Sequence, residues 1–231
     1  MLSEMSARRE ISFIRESARS VPSWWPKFQN RLTSMLELLR HDKSQKSVRI
    51  LKVMLVPFGD VDRRNLEVLA DKLQQVLPDS EVKLTAAAEI PLNSFVPSRQ
   101  QSLADAFLSA LLKIAQAKER RKALGVTDRD LFAPSMNFVF GQALRNVAVI
   151  STYRLMPRHD LNNRIELLQL RILKEAIHEL GHTLALGHCP NSFCVMHFSK
   201  SIDDTDLKSQ CFCSTCSAKV RKLTGTHHSI R

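Results

Sequence analysis

Residues 178–189, HELGHTLALGHC, place three histidines, a glutamate and a cysteine within one short stretch. His178 and His182 are four residues apart, so on a helix both imidazoles project from one face and reach the same metal ion. Glu179 lies beside the first histidine, where it can hydrogen-bond a metal-bound water without ligating the metal. His188 reaches the same ion only if the chain reverses just past the helix. Three neutral histidines with an open fourth position indicate a catalytic zinc site.

All five cysteines of the chain lie in residues 189–216, and none precedes them. A secreted disulfide scaffold would spread its cysteines over distant loops, so a tight cluster beside three histidines indicates metal binding. A C-x4-C pair followed by C-x-x-C suits a closed, structural four-thiolate zinc site. The four predicted ligands are Cys189, Cys194, Cys213 and Cys216. Cys211 is too close to Cys213 for both to ligate comfortably, and we interpret it as a free thiol or one beside the site.

The 231-residue chain has 44% apolar residues and suits one globular domain with small appendages. No apolar run approaches the ~18 residues that a membrane-spanning helix needs. The N-terminus has a charge every few residues, no apolar run typical of a secretory signal, and acidic residues that argue against a transit peptide. We therefore expect a soluble cytoplasmic protein without a membrane partner.

The formal net charge of +11 raises nucleic acid or another anionic surface as a partner. The sequence has no basic motif interleaved with aromatic residues of the usual RNA-binding kind. Four thiolates around Zn²⁺ leave an excess negative charge. Basic residues near the cysteines can balance it, namely Lys208, Lys219, Arg221 and Lys222. The basic excess is therefore a weak basis for expecting nucleic acid.

A β-α-β-α succession of apolar patterns predicts a sheet covered by helices. Strands are predicted over residues 48–59, 81–85, 129–133, 136–141 and 146–155, and helices after a cap at Asp60, over 99–119 and from Asn163 onward. The last three strands lie too close together for helical crossovers, so at least one should pair antiparallel as an edge or hairpin. Asn163 with Glu166 resembles a capping box that opens a long helix. The buried face of this helix is predicted to contain Ile165, Leu168, Ile172, Leu173, Ala176, Ile177 and Leu180.

From about residue 48 to 223 the chain resembles the archaemetzincins, a branch of the metzincin zinc peptidases. The resemblance rests on HELGHTLALGHC and on five further stretches: ALGVTDRDL (123–131), NFVFGQA (137–143), VISTYRL (149–155), CVMHFSKS (194–201) and FCSTC (212–216). It implies an α+β, mixed α/β fold of the zincin type. Such a fold has a twisted mixed sheet with covering helices, a long active-site helix and a small C-terminal subdomain around the cysteine zinc.

The resemblance also implies roles for individual residues and two Zn²⁺ per chain, one catalytic and one structural. His178, His182 and His188 would bind the catalytic zinc, and Glu179 would be the general base. Met196 matches the methionine turn, an apolar floor beneath the catalytic metal. The second zinc would be held by Cys189, Cys194, Cys213 and Cys216. NFVFG would be the edge strand along which a peptide could lie in extended form.

We divide the chain into three parts on this basis. Residues 1–46 form a basic N-terminal extension, with a helix predicted over 30–40. Residues 47–188 form the N-terminal subdomain with the active-site helix. Residues 189–231 form the C-terminal subdomain with the four-cysteine zinc site and a basic tail.

The chain departs from the metzincin pattern H-E-x-x-H-x-x-G-x-x-H at Ala185, which stands where the pattern has glycine. That glycine normally takes a positive φ as the helix stops, and alanine in this conformation costs about 1 kcal/mol. Two alternatives follow. Either Ala185 adopts the strained conformation, or the helix runs slightly further and Gly187 makes the turn, which would move His188 relative to the metal.

The leading hypothesis is a zinc-dependent metallopeptidase that acts on a peptide or protein as a monomer, with aminopeptidase and endopeptidase both open. The alternative is a non-catalytic, zinc-stabilised binding module whose basic surface binds anionic partners. A nucleic-acid-binding zinc module is a third and weaker hypothesis. Tyr153 and His197 are candidates for a group that stabilises the oxyanion, and neither is assigned.

Overall fold

The computed structural model describes residues 51–77, 80–116, 121–157 and 163–224. The N-terminal extension 1–46, with its predicted helix, lies outside the described residues. The strands are β1 Leu51–Phe58, β2 Ser80–Leu84, β3 Phe95–Val96, β4 Gln101–Leu103, β5 Arg121–Thr127, β6 Leu131–Phe132, β7 Gly141–Leu144 and β8 Val147–Ser151. The helices are α1 Arg63–Val76, α2 Ala104–Gln116, α3 Arg164–Thr183, α4 Ile202–Leu207 and α5 Ser214–Thr224. Among the described residues, no helix is long and apolar enough to cross a membrane.

The main sheet has five strands in the order β2-β1-β5-β8-β7. β2, β1, β5 and β8 are parallel to one another, and β7 pairs antiparallel with β8 at one edge. A second sheet has the order β3-β4-β6. The antiparallel β7–β8 hairpin confirms that closely spaced strands pair without a helical crossover, and the mixed sheet with covering helices confirms the predicted fold class.

The central strands of the main sheet are buried on both sides because helices cover both faces. In β1, Val53 and Leu55 pack into one core together with residues of α1 and α3. Met54 and Phe58 point to the other face and pack against α2, where the Phe58 ring meets that of Phe107 edge-on. Successive side chains of β1 thus contribute alternately to two hydrophobic cores, one on each face of the sheet.

Strand β5 was missing from the prediction, although it lies in the centre of the sheet. It begins with Arg121 and Lys122, which continue a run of basic residues, while residues 123–127 are fully buried. Gly125 lies under Phe58 and Leu111, since a Cβ there would be 2.9 Å from the Phe58 ring and 3.0 Å from the Leu111 side chain. The glycine therefore lets α2 pack closely on the sheet.

Two helix starts differ from the prediction. The helix predicted from residue 99 begins at Ala104, because Gln100 has φ +55° and residues 101–103 form β4. Asp62, rather than Asp60, caps α1, and its carboxylate accepts a hydrogen bond from the backbone N–H of Arg64 at 2.8 Å.

The predicted capping box of α3 is wrong, because Asn163 precedes the helix but its side chain makes no capping hydrogen bond. Ile165 is also misassigned, being 61% exposed. Burial on this helix begins at Leu168, so its first turn extends past the core. The other apolar residues predicted on this face, from Leu168 to Leu180, are buried.

The edge of the sheet lies further along the chain than predicted. Residues 136–140 are not a strand, apart from one bridge between Val139 and Leu131, and the edge strand β7 starts at Gly141. The carbonyl of Asn137 accepts hydrogen bonds from the side chains of Arg99 and Gln101, at 3.0 Å each. Side chains thus bind the Asn137 carbonyl, which in a strand would accept a hydrogen bond from a neighbouring strand.

Candidate metal centres and active site

Helix α3 ends in a turn that brings His188 back towards the helix. The backbone N–H of Leu186 donates to the carbonyl of Gly181 at 3.1 Å, and that of Ala185 donates to the carbonyl of His182 at 2.9 Å. These bonds form a Schellman motif, which places one residue in the left-handed region. That residue is Ala185, with φ +62°. Gly187 does not have a positive φ, so the alternative in which Gly187 makes the turn is wrong.

The three histidines meet beyond the end of the helix. Their ligand nitrogens lie within 4.8 Å of one another. The Nε2 atoms of His178 and His182 are 3.1 Å apart, and the ring of His188 lies 4.8 Å from that of His182 between centroids. His178 is buried and His188 is exposed, so the cluster opens to solvent on one side.

Hydrogen bonds fix which nitrogens of two histidines are free. Nδ1 of His178 donates to the carbonyl of Val195 at 2.7 Å, and Nδ1 of His182 donates to the carbonyl of Leu186 at 2.8 Å. A carbonyl only accepts, so in the neutral rings both Nε2 atoms carry lone pairs. Burial, with repulsion from the Lys208 ammonium, holds the pKa of His178 well below its usual value. Burial also lowers the pKa of His182.

These observations test whether the residues fit a metal ion. Two nitrogen lone pairs that face each other at 3.1 Å repel unless a cation lies between them. Tetrahedral coordination with Zn–N bonds of about 2.0–2.1 Å spaces its nitrogens by about 3.3–3.4 Å. The three histidines therefore fit zinc in chemistry and in spacing.

Glu179 lies at the wall of the cavity that the histidines border, a cavity of about 590 Å³. Among the described residues, its Oε2 is a buried atom without a hydrogen-bond partner. Burial raises the pKa of this carboxyl well above its usual value, and repulsion from the Glu175 carboxylate adds to the shift. Gly141 at the start of β7 makes room for it, because a Cβ there would be 2.6 Å from Glu179 Cγ.

Met196 packs against α3 at Gly181, the residue before His182. A Cβ at Gly181 would collide with the Met196 sulfur, so only glycine lets this side chain approach the helix between Leu180 and His182. Met196 is fully buried, and its carbonyl accepts a hydrogen bond from the backbone N–H of Cys189 at 2.9 Å.

The second candidate metal centre is the cysteine cluster. The sulfurs of Cys189, Cys194, Cys213 and Cys216 lie within 4.8 Å of one another, and Cys211 is not among them. The sulfurs of Cys189 and Cys213 are 3.8 Å apart. That distance matches the edge of a tetrahedron with Zn–S bonds of about 2.3 Å, which is about 3.8 Å. The four residues therefore fit a zinc ion as well.

Hydrogen bonding within the cluster favours the thiolate form of Cys213. Cys213 directly precedes α5, and a hydrogen bond from the backbone N–H of Cys216 lowers the pKa of its thiol to about 7. Burial raises the pKa of the Cys211 thiol, and it also raises the pKa values of the Cys194 and Cys216 thiols within the cluster. Cys211 is therefore separated from the four clustered residues by the position of its sulfur and not by its pKa.

The comparisons with known proteins agree with this geometry. The sequence matches Peptidase family M54 over residues 60–222. It is 45% identical to the archaemetzincin of Pyrococcus horikoshii over 154 residues, which cover 64% of this chain and 81% of that protein. The chain belongs to the archaemetzincins, peptidase family M54. It is therefore a zinc metallopeptidase by family.

Solved archaemetzincin structures share the fold. The structure of the archaemetzincin from Methanopyrus kandleri has a TM-score of 0.69 and 34% identity, and the match covers 79% of this chain and 99% of that one. A zinc-dependent peptidase from Methanocorpusculum labreanum has a TM-score of 0.66 and 29% identity, with 73% of this chain and 99% of that one covered. The family resemblance inferred from the sequence motifs is thereby confirmed.

The archaemetzincin site contains a pair that sequence reasoning missed. Lys208 was predicted to balance the charge of the cysteine site, but its ammonium lies 2.9 Å from Oε1 of Glu175 on α3. Both side chains are buried, and Glu175 lines the same cavity as Glu179. The spacing of the two glutamates, four apart on one helix, was the available signal for a second carboxylate.

The candidates for an oxyanion-stabilising group do not lie in the archaemetzincin cavity. Tyr153 is 60% exposed and borders a different cavity. Nδ1 of His197 donates to the carbonyl of Cys189 at 3.0 Å, and His197 does not line the cavity. Lys200 and Phe198, which follow Met196 in the chain, do line it.

Proposed function

We propose that this archaemetzincin hydrolyses peptide bonds with a zinc ion at His178, His182 and His188 and with Glu179 as the general base. The observation that carries the proposal is a buried carboxylate oxygen of Glu179, which has no hydrogen-bond partner within the described parts of the chain and lies at the wall of the cavity that the three histidines border. When bound, zinc supplies Lewis acidity and brings the pKa of a coordinated water towards ~7.

The proton steps fall to Glu179. Its carboxylate takes a proton from the attacking water and delivers it to the leaving nitrogen of the cleaved bond. The raised pKa of Glu179 suits this role, because a carboxyl with a pKa nearer neutrality both accepts and releases a proton at working pH. His178 and His182 need no part in proton transfer, since backbone carbonyls hold their Nδ1 protons.

The edge strand β7 supports a peptide substrate. Among the described residues it pairs with β8 on one side only, and Gly141, Gln142 and Ala143 line the cavity. An extended peptide can add to the free side of such a strand through backbone hydrogen bonds. The peptide bond to be cleaved would then lie between β7 and the C-terminal end of α3.

We further propose that a second zinc is held by Cys189, Cys194, Cys213 and Cys216 and has a structural role. Four sulfur donors close the coordination shell and leave no position for substrate. The lowered pKa of Cys213 supports thiolate formation at neutral pH. Elemental analysis of the purified protein should give about two zinc ions per chain if both sites are filled.

Glu179→Gln tests the mechanism. It should retain both metals and the fold but lower kcat by about 10²–10⁴-fold on a library of quenched fluorescent peptides. Glu166→Gln is the matched control, because Glu166 lies exposed in the first turn of the same helix. If Glu179→Gln keeps wild-type activity with both metals bound, the proposed mechanism is wrong. If neither wild type nor variant cleaves any peptide while both metals are bound, a non-catalytic zinc module is favoured.

A further inference from the structure

Two buried carboxylates face the same cavity from one helix. Glu175 and Glu179 lie one turn apart on α3, are 3% and 5% exposed, and both line the cavity with the three histidines. A site that transfers one proton at a time needs one free carboxylate. A second free carboxylate beside it would compete for the same water and add like-charge repulsion.

The two carboxylates differ in their partners. Oε1 of Glu175 accepts a hydrogen bond from Thr205 Oγ1 at 3.1 Å and lies 2.9 Å from the Lys208 ammonium. Oε2 of Glu179 has no partner among the described residues. Polar side chains thus bind the Glu175 carboxylate, whereas an oxygen of the Glu179 carboxylate remains available to a water or substrate in the cavity.

Lys208 is held in place by the segment that follows Met196. It is the C-cap residue that directly follows α4. This short helix is fixed at its start by a reciprocal capping box between Ser201 and Asp204. Arg171 of α3 binds Asp206 through two hydrogen bonds of 2.7 and 2.6 Å. α4 is therefore clamped on α3, and the Lys208 side chain, 0% exposed, reaches Glu175 from behind the cavity wall.

We propose that Lys208 is a positioning residue of the catalytic site. Its ammonium pairs with the Glu175 carboxylate, so that Glu179 alone is free to act as the base. Lys208 does not line the cavity but contacts the site through the Glu175 carboxylate, and its charge also acts on His178 and Glu179. This inference rests on the proposed role of Glu179.

Lys208→Met removes the ammonium and keeps an unbranched side chain of similar length. The Glu175 carboxylate then loses its ion partner in a buried position, retains the hydrogen bond from Thr205, and lies unpaired in charge beside the cavity that it lines. We expect kcat per bound zinc to fall about tenfold or more, with KM within about twofold of wild type, because the substrate-binding surface is unchanged.

The double variant Glu175→Gln with Lys208→Met removes both charges. It should return kcat per bound zinc to within about threefold of wild type, because the competing carboxylate is gone. Thermal unfolding of the zinc-saturated proteins provides a readout independent of activity. The midpoint should fall further in Lys208→Met than in the double variant, since only the single variant leaves a buried charge unpaired.

Lys174→Met is the matched control. Lys174 is also buried and also joins α3 to α4, but its ammonium donates to the carbonyls of Thr205 and Asp206 at 3.0 and 2.8 Å. This variant should lower the unfolding midpoint and leave kcat per bound zinc within about twofold of wild type. The control separates a loss of the α3–α4 contact from a loss of control over Glu175.

The outcomes are distinct. Wild-type kcat per bound zinc in Lys208→Met, or a loss that the double variant does not reverse, overturns the positioning role. If Lys208→Met does not fold, Lys208→Gln replaces it, because it also removes the ammonium while keeping a polar group beside the buried carboxylate. A fall in kcat per bound zinc and its reversal by Glu175→Gln are then still required. Full activity in Glu179→Gln would instead overturn the proposed function, so the two failures can be told apart.

Discussion

Ala185→Gly should stabilise this archaemetzincin, which is unusual for a substitution that deletes a methyl group. Ala185 is the left-handed residue of the Schellman motif that ends α3, with φ +62°. The methyl group of an L-residue crowds the following carbonyl in this conformation, whereas glycine adopts it without strain. The backbone bonds of Leu186 and Ala185 to α3 do not involve the Ala185 side chain, so they survive the change.

The net gain is a difference of two effects. Relief of the left-handed conformation contributes about 1–2 kcal/mol. The greater freedom of glycine in the unfolded chain takes back about 0.5–1 kcal/mol. The expected increase in the free energy of unfolding is therefore about 0.5–1 kcal/mol, which for a domain of this size raises the unfolding midpoint by about 1–4 °C.

Thermal and denaturant unfolding of zinc-saturated protein measures this change, since bound metal itself shifts the midpoint and must be equal in both samples. Ala87→Gly is the matched control, because Ala87 is exposed, lies outside helices and strands, and does not have a positive φ. It should be destabilised by up to about 1 kcal/mol. If both glycine variants lose stability equally, Ala185 bears no strain and the reasoning fails. We also expect kcat of Ala185→Gly within about twofold of wild type, because the turn that places His188 is kept.

Three further substitutions test the site. Gly141→Ala places a methyl group 2.6 Å from Glu179 Cγ and should lower kcat about tenfold or more with zinc content unchanged; an unaltered kcat would contradict the close contact. Gly181→Ala should lower the free energy of unfolding by about 1–3 kcal/mol in denaturant, although alanine favours helices, because Met196 blocks its methyl group; a more stable protein would disprove this. Cys213→Ser should reduce the zinc count to about one per chain by elemental analysis, and two retained ions would argue against a four-thiolate site.

The grouping of residues in the two candidate metal centres could be predicted from the sequence because local geometry fixes it. Residues four apart on a helix share a face whatever surrounds them, so HExxH alone brings His178 and His182 together. The choice of the two cysteine pairs over Cys211 rests on similar short spacings, and the structure groups the same four sulfurs. The turn at Ala185 was open in the sequence because both routes were sterically possible, and only the backbone bonds of the helix end distinguish them.

The features that the sequence did not predict have a common cause, because each depends on contacts with residues distant in the chain. Strand β5 is central because β1 and β8 flank it, and nothing within a stretch that opens with Arg121 and Lys122 indicates burial on both faces. The start of the edge strand at Gly141 depends on side chains from another part of the chain that bind the Asn137 carbonyl. Lys208 lies 33 positions from Glu175, and nothing in the sequence around a single lysine indicates which distant carboxylate it will pair with.

The two candidate metal centres are coupled through one short segment, residues 194–196. The sulfur of Cys194 belongs to the cysteine cluster, while the carbonyl of the next residue, Val195, accepts the Nδ1 proton of His178. The Met196 carbonyl in turn accepts the backbone N–H of Cys189, the first cysteine of the cluster. The orientation of His178 is therefore set by a carbonyl whose position depends on the cysteine site. A zinc held by the four thiolates would thus help to keep the lone pair of His178 directed at a metal ion bound by the three histidines.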